Sequence, residues 1–164
     1  LQGAHLRSPL GIHFQGSGGT ITIGEYCNIR GSLHVRQRSS TITVGNGTTA
    51  VGAHLFALEG ASIIIGDDCM FAAGISIRSS DEHPIFDLET NARLNPAKSV
   101  RVGQHVWIGE GATISKGVHV ADGCIIAAKS LLTKSAPKKN TIYGGSPARV
   151  IREGIYWSRE LPPN

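Results

Sequence analysis

Between residues 79 and 99 the chain gathers the side chains best suited to moving a proton: Ser79-Ser80-Asp81-Glu82-His83-Pro84-Ile85-Phe86-Asp87. His83 is the central group. An imidazole, with an ordinary pKa of about 6.5, can serve as a general base near neutral pH, which a hydroxyl requires if it is to attack a thioester carbonyl. Pro84 restricts the backbone beside it. Asp81 and Asp87 are both close enough in sequence to hold the ring's second nitrogen. On the loop alone, His83 reads equally well as a surface histidine without a role. Successive histidines along the chain are 8, 21, 20, 29, 22 and 14 residues apart, so no His-x4-His pair exists to begin a three-histidine zinc site, and no metal is expected.

The element that must hold this loop is a six-residue repeat over Val102–Leu132. Aliphatic residues fall at Val102, Ile108, Ile114, Val120, Ile126 and Leu132, each followed by a small residue: Gly103, Gly109, Ser115, Ala121, Ala127 and Thr133. A second small residue comes four positions after each aliphatic: Val106, Ala112, Val118, Cys124, Ser130 and Ala136. Six is neither a helical nor a simple strand period. It describes a flat side with one inward aliphatic and a tight corner. Three sides close a triangular coil of 18 residues, and stacked coils make a parallel β-helix.

The same corner recurs at Ile23-Gly24, Val44-Gly45, Ile65-Gly66 and Val102-Gly103. The first two steps are 21 residues, one coil plus three, which predicts short bulges near Arg36–Ser40 and Leu58–Ala61. The third step is 37 residues, one coil plus 19, and the surplus must leave the helix as the excursion Ser79–Ser99. A loop of that length in a tight solenoid is more often functional than idle.

The 164 residues are expected to form a single domain in three stretches: an irregular partial coil over 1–22, coils over 23–133, and a closing segment over 134–164. In the first stretch Leu10, Ile12 and Phe14 alternate with smaller or polar residues. Gly16-Ser17-Gly18-Gly19 precedes a strand and not a helix, so it is a turn and not a phosphate loop. In the last stretch Thr141-Ile142-Tyr143 reads as a strand broken by Gly144-Gly145. Ser146-Pro147 then reads as the start of a short capping helix that lays Val150, Ile151 and Ile155 over the open end. Order in the tail beyond is expected only where Tyr156 and Trp157 pack.

Composition agrees with a solenoid: 21 glycines and only 5% aromatic residues. Cys27, Cys69 and Cys124 take small inward slots in alternate coils, roughly 9–10 Å apart, beyond the ~7 Å that a disulfide spans. Structural thiols, a reducing cytoplasmic setting and no signal peptide are expected. No apolar run approaches the ~18 residues of a membrane span. The chain opens on Leu1, which leaves room for upstream sequence. Its net charge of +4 is uneven, since Lys98–Arg152 carries nine Lys/Arg against Glu110 and Asp122. Without stacking aromatics, a zinc finger or a recognition helix, that basic half suits a compact polyanion such as a nucleotide cofactor better than nucleic acid.

Asp81-Glu82-His83-Pro84, Asn95-Pro96, Val106-Trp107-Ile108-Gly109, Lys116-Gly117-Val118, Thr133-Lys134 and Gly145-Ser146-Pro147-Ala148-Arg149-Val150-Ile151 together resemble the hexapeptide-repeat acetyltransferases. The likeness covers roughly Ile65–Arg152, with the motifs in the family's order. The His83 loop followed by Ile155-Tyr156-Trp157 is most similar to bacterial polysaccharide O-acetyltransferases, those acting on sialic-acid capsules in particular. The resemblance implies an all-β, left-handed parallel β-helix, a homotrimer with sites at subunit interfaces, and acetyl-CoA as co-substrate. It also implies direct acetyl transfer to a carbohydrate hydroxyl with His83 as the base.

Under that resemblance Trp107 lines the acetyl-CoA or acceptor site; packing between subunits is its other reading. Gly109, Gly111, Ala127 and Ala128 would let backbone amides approach the pantetheine arm and thioester oxygen. Thr133 and Pro147 fall at matching positions in the same cofactor region. Lys134, Lys138, Lys139, Arg149 and Arg152 form a cationic end for the adenosine phosphates, with Lys134 and Arg149 favoured by position. Asp81, His54 and His34 are candidate acceptor contacts; His54 stands in a corner slot that elsewhere holds a small residue, and His34 lies one coil earlier. His105 and His119 are weaker candidates.

Three rival readings stand beside this one. A γ-type carbonic anhydrase shares the fold class but lacks its histidine spacing here. A non-catalytic scaffold leaves the long loop and basic half unexplained. An acetyltransferase acting on an amino-sugar nucleotide, amino acid, small sugar or antibiotic stays open, because loops and interfaces choose the acceptor.

Overall fold

The computed structural model describes residues 9–163. Its strands form the three sides of a parallel β-helix. The first face stacks Thr20–Ile23, Thr41–Val44, Ser62–Ile65, Val100–Val102 and His119–Val120. The corner residues pair in one column: Ile23 with Val44, Val44 with Ile65, Ile65 with Val102, and Val102 with Val120. These are the steps of 21, 21, 37 and 18 residues read from the sequence.

The other two faces share one sheet, because Asn28–Arg36 and Thr49–Ala57 each run through the bend between them. Past that bend the second face continues with Met70–Phe71, Trp107–Ile108, Ile125–Ile126 and Thr141–Gly145. The third face takes Leu10–Gln15, Ile75–Arg78, Thr113–Ile114 and Leu131–Leu132. Leu10–Gln15 pairs in register with the following coil, Ile12 opposite Leu33 and Phe14 opposite Val35, as a partial first coil.

The inward aliphatics Ile63, Ile75, Ile108, Ile114 and Ile126 are fully buried, each contributing about 1.5–3 kcal/mol by leaving water. The second small slot is also buried throughout, at Val106, Ala112, Val118, Cys124, Ser130 and Ala136. Three corners along the chain, those of Cys27, Cys69 and Cys124, share a device that the periodicity does not show. The thiols of Cys27, Cys69 and Cys124 donate to the carbonyls of Gly45, Gly103 and Lys138 in the next coil, each at 3.1 Å. Thr48 donates to Gly66 O in the same way at 3.0 Å. Burial pushes the Cys69 thiol up to about 11 and raises Cys124 as well, so both are poor nucleophiles.

The short bulges fall at Gln37–Ser40 and Leu58–Ala61, at the corner where the third face turns into the first. The excursion leaves from this same corner, after Arg78, and rejoins at Val100. Its base is closed by Lys98 N–H donating to Ser79 O at 2.9 Å. Asn95, only 8% exposed, ties its two limbs together. The Asn95 amide donates to Asp81 Oδ2 at 2.8 Å and to His83 O at 2.9 Å, while its oxygen accepts from Ile85 N–H at 2.6 Å. Lys116 of the next coil pairs with Asp81 at 2.5 Å, Arg93 with Glu59 at 2.5 Å, and Glu82 with Arg78 at 2.9 Å and Arg36 at 3.4 Å.

The capping helix expected after Ser146-Pro147 is corrected: Ala148–Glu153 is a strand, and no helix occurs among the described residues. It returns antiparallel to Thr141–Gly145, with Gly145 opposite Ala148 across the Ser146-Pro147 turn, where the peptide bond is cis. The physical reason is the open sheet edge. A returning strand pairs the backbone groups of Thr141–Gly145, which a short helix would leave bare, and β-branched Val150 and Ile151 favour it.

The tail expectation is also corrected in part. Trp157 is buried but Tyr156 is 91% exposed, and the second anchor is Arg159, bonded to Asp68, Thr49 and the carbonyls of Gly47 and Cys69.

A Cβ on Gly31 would lie 2.0 Å from Ala53 O at a φ of 122°, whereas one on Gly154 would meet nothing, at a φ of 67°. Gly31→Ala should therefore cost about 2 kcal/mol or more and Gly154→Ala about 1 kcal/mol, read as shifts of the urea unfolding midpoint. Asn95→Ala should leave Ile85 N–H and His83 O unpartnered and speed hydrogen exchange in 81–87 roughly tenfold or more, with coil amides little changed. Lys116 and then Asn95 hold the Asp81 carboxyl below its usual range; Arg93 and then Ser80 do the same for Glu59. These latches are thus fully present above the ordinary carboxylate pKa of about 4 and are lost as pH falls through the lower folded values, so loop exchange should rise in acid first.

Candidate functional site

His83 stands at the third-to-first corner, exposed, with its backbone fixed on both sides. Its N–H donates to Asp81 O at 2.8 Å and its carbonyl accepts from Asn95. Neither nearby carboxylate bonds the ring among the described residues. Asp81 is engaged by Lys116 and Asn95, and Asp87 accepts from Glu89 N, Thr90 N and the Thr90 hydroxyl. Asp81, expected as an acceptor contact, is thus a latch of the loop in this structure. The excursion also turns Ile85, Phe86, Leu88 and Leu94 outward, Leu88 completely.

Trp107 projects from the second face, 37% exposed, tilted against Trp157 at 6.1 Å. Trp157 stacks on His105 at 4.0 Å and donates its indole N–H to His105 O at 2.9 Å. The His105 ring meets Asp68 Oδ2 at 2.6 Å and Trp157 O at 3.1 Å. Burial opposes ionisation of Asp68, but His105 and Arg159 outweigh it and hold that carboxyl below its usual range. His105 therefore anchors the tail behind Trp107.

His83 and Trp107 lie on different parts of the prism, one at the third-to-first corner and the other on the second face. A single copy does not bring them together. Gly109 and Ala127–Ala128 occupy the corner between the second and third faces. A Cβ on Gly109 would come within 2.6 Å of Ala128 N, so the neighbouring coil already uses the room that its missing side chain leaves. Ala127 is half-buried, lying against Gly144 of the C-terminal hairpin, and Ala128 is exposed.

At the C-terminal end, Lys134, Lys138, Tyr143, Arg149 and Val150 line a concavity of about 400 Å³. Thr133 and Pro147 are exposed nearby in sequence. Lys138 pairs with Glu153, and Lys139 pairs with Asp122 at 2.8 Å. Lys134 and Arg149 have no carboxylate partner among the described residues, which leaves their charge available to an anion. His34 and His54 are brought together: Ser32 Oγ lies 2.9 Å from His34 Nε2 and 2.8 Å from His54 Nδ1. His119 sits apart on the first face.

Sequence reasoning missed Asn95, Glu82 and Trp157 as positioning residues. Asn95 was visible only as part of a family motif, because its partners stand 10 to 14 residues away across the excursion.

Residues 99–134 match the family pattern described as "Bacterial transferase hexapeptide (six repeats)". The chain is 36% identical over 139 residues to the polysialic acid O-acetyltransferase of Neisseria meningitidis, covering 85% of this chain and 61% of that protein. It is 33% identical over 139 residues to the polysialic acid O-acetyltransferase of Escherichia coli O1:K1 / APEC, covering 85% and 45%. The chain thus spans roughly half of these relatives' own length. The crystal structure of the polySia-specific acetyltransferase NeuO superposes with a TM-score of 0.77 at 27% identity, covering 94% of this chain and 76% of that one. No helix among the described residues is long and apolar enough to cross a membrane. By its coil geometry, its repeat register and these likenesses, the chain is a left-handed parallel β-helix that carries the bacterial transferase hexapeptide repeat over residues 99–134.

Proposed function

We propose that the protein transfers an acetyl group from acetyl-CoA to a hydroxyl of a bacterial surface polysaccharide or its sugar unit, sialic acid being the leading candidate, in the cytoplasm. The observation that carries this reading is His83, an imidazole on a loop latched at both limbs, with neither neighbouring carboxylate engaging its ring. Likeness to polysialic acid O-acetyltransferases supports the acyl group and the acceptor class. In the proposed step the neutral imidazole accepts the proton of the acceptor hydroxyl as its oxygen attacks the thioester carbonyl. The new C–O bond forms, the C–S bond breaks, and the imidazolium returns its proton to the departing CoA thiolate. No acyl-enzyme is required.

Trp107 would line the cofactor or acceptor, with Gly109, Ala127 and Ala128 along the pantetheine arm. Lys134 and Arg149 would meet the adenosine phosphates, flanked by Thr133 and Pro147. Because one prism separates His83 from Trp107, the working site is proposed to form between copies, in a homotrimer. The outward Ile85, Phe86, Leu88 and Leu94 of the excursion suit contact with an adjoining subunit. An amino-sugar nucleotide, small sugar or antibiotic as acceptor is the alternative.

His83→Ala should lower turnover by ~10²–10⁴ with acetyl-CoA binding nearly intact, measured by release of free CoA thiol; a loss below tenfold removes His83 from the base role. Trp107→Ala should act mainly on KM. Lys134→Ala combined with Arg149→Ala should raise KM for acetyl-CoA about tenfold and leave acetyl-pantetheine, which lacks the phosphates, unaffected. Equal effects on both donors would reject the phosphate contact. Running the assay across capsule polysaccharides, sugars, amino sugars and antibiotics selects among acceptors.

A further inference from the structure

The outer side of the third face carries a column of side chains that the transfer step does not use. His13, His34, Phe56 and Arg78 stand in register on four successive coils. The His13 and His34 rings stack at 4.4 Å and 6°, and His34 and Phe56 stack at 4.5 Å and 12°. The Arg78 guanidinium lies over Phe56 at 4.1 Å. At a strand spacing of about 4.8 Å the column runs roughly 14 Å along the helix axis. Arg36 projects from the same face two residues beyond His34, and His54 with Ser32 flanks the column on the other side.

Stacking accounts for Phe56 beside His34, but not for the collection of cations. Arg36 and Arg78 share one carboxylate, Glu82, and both side chains keep about a third or more of their surface in solvent. Burial is the largest influence holding His34 below the usual histidine range. His13, Arg36, His54 and Arg78 all add to it, and no anion counters them. The patch therefore carries positive potential that its resident carboxylate does not cancel. Glu82 also immediately precedes His83, so one end of the column abuts the loop that bears the proposed base.

We propose that this column is an acceptor subsite for the carboxylate of an acidic glycan laid along the helix axis. Arg36 and Arg78 are its ion partners, and the His13–His34–Phe56 stack forms its flank. Guanidinium groups suit this role because their fork matches a carboxylate in two parallel hydrogen bonds. The inference rests on the carbohydrate-acceptor reading above and extends it by naming specificity residues away from the transfer point.

The experiment is calorimetric binding of an oligosaccharide bearing a carboxylate on each sugar, compared with the same oligosaccharide after its carboxyls are reduced to alcohols. The native protein should prefer the carboxylated form at least tenfold, and added salt should shrink that preference. Arg36→Gln should bring the ratio close to one, with Arg36→Lys recovering part of it. If Arg36→Gln fails to fold, Arg78→Gln, at the second ion partner, should reduce the ratio instead. Equal binding of the two glycans by the native protein overturns the proposal, as does a ratio untouched by folded column variants. Thiol release on the same glycans is read separately: its absence with every acceptor defeats the acetyl-transfer reading, while a carboxylate-dependent binding ratio still upholds the column.

Discussion

Everything in this molecule depends on vertical register. Each inward side chain rests on its counterpart one coil away, and each coil's amides meet the carbonyls of the next. Register of this kind is demanding, because a slip of one residue would turn every aliphatic outward. The corners enforce it. Asn46 Oδ1 accepts from Glu25 N, Asp67 Oδ1 from Asn46 N, and Asp122 Oδ1 from Gln104 N, each across one step of the stack. The thiols of Cys27, Cys69 and Cys124 and the hydroxyl of Thr48 add a second bond at their own steps, while Val106 fills the same slot by packing alone.

That regularity makes the excursion possible. Because Arg78 ends one strand and Val100 begins the next in unbroken register, the residues between them are free to vary without disturbing the stack. Their own order comes from polar latches. Asn95 is buried among backbone groups, and ion pairs reach from the loop to the coils before and after it. A rigid scaffold with a separately fastened loop is a sound way to hold an imidazole, since loop and core can be adjusted independently.

The coils were legible because a six-residue period with a small corner has few other solutions, and the insertions could be counted from residues such as Ile23, Val44, Ile65 and Val102. The excursion was legible by subtraction. What lay beyond reach was anything set by long-range pairing. Ser146-Pro147 looked like a helix start because local preference speaks for one, yet the unpaired edge of Thr141–Gly145 decided otherwise. Gly109 also serves the stack in a way its spacing does not show, since a Cβ there would come within 2.6 Å of Ala128 N. Asp81 and Asp87 looked like partners for His83, but Lys116 and Thr90 claim them. His13, Phe56 and Arg78 carried no local signal at all, because only the stacking of four coils makes them neighbours.

The returning tail changes how the solenoid responds to force. Coils that touch only their neighbours can peel away one after another from either end. Here Ile155 is bonded to Asn140, Trp157 to His105, and Arg159 to Asp68 and Gly47, so five residues bridge from the last coil to the second. Traction on the C-terminus must shear that strap across its whole span before the first coil can unwind. The rod therefore behaves as a bundle tied lengthwise, and it should yield in one event and not in a staircase.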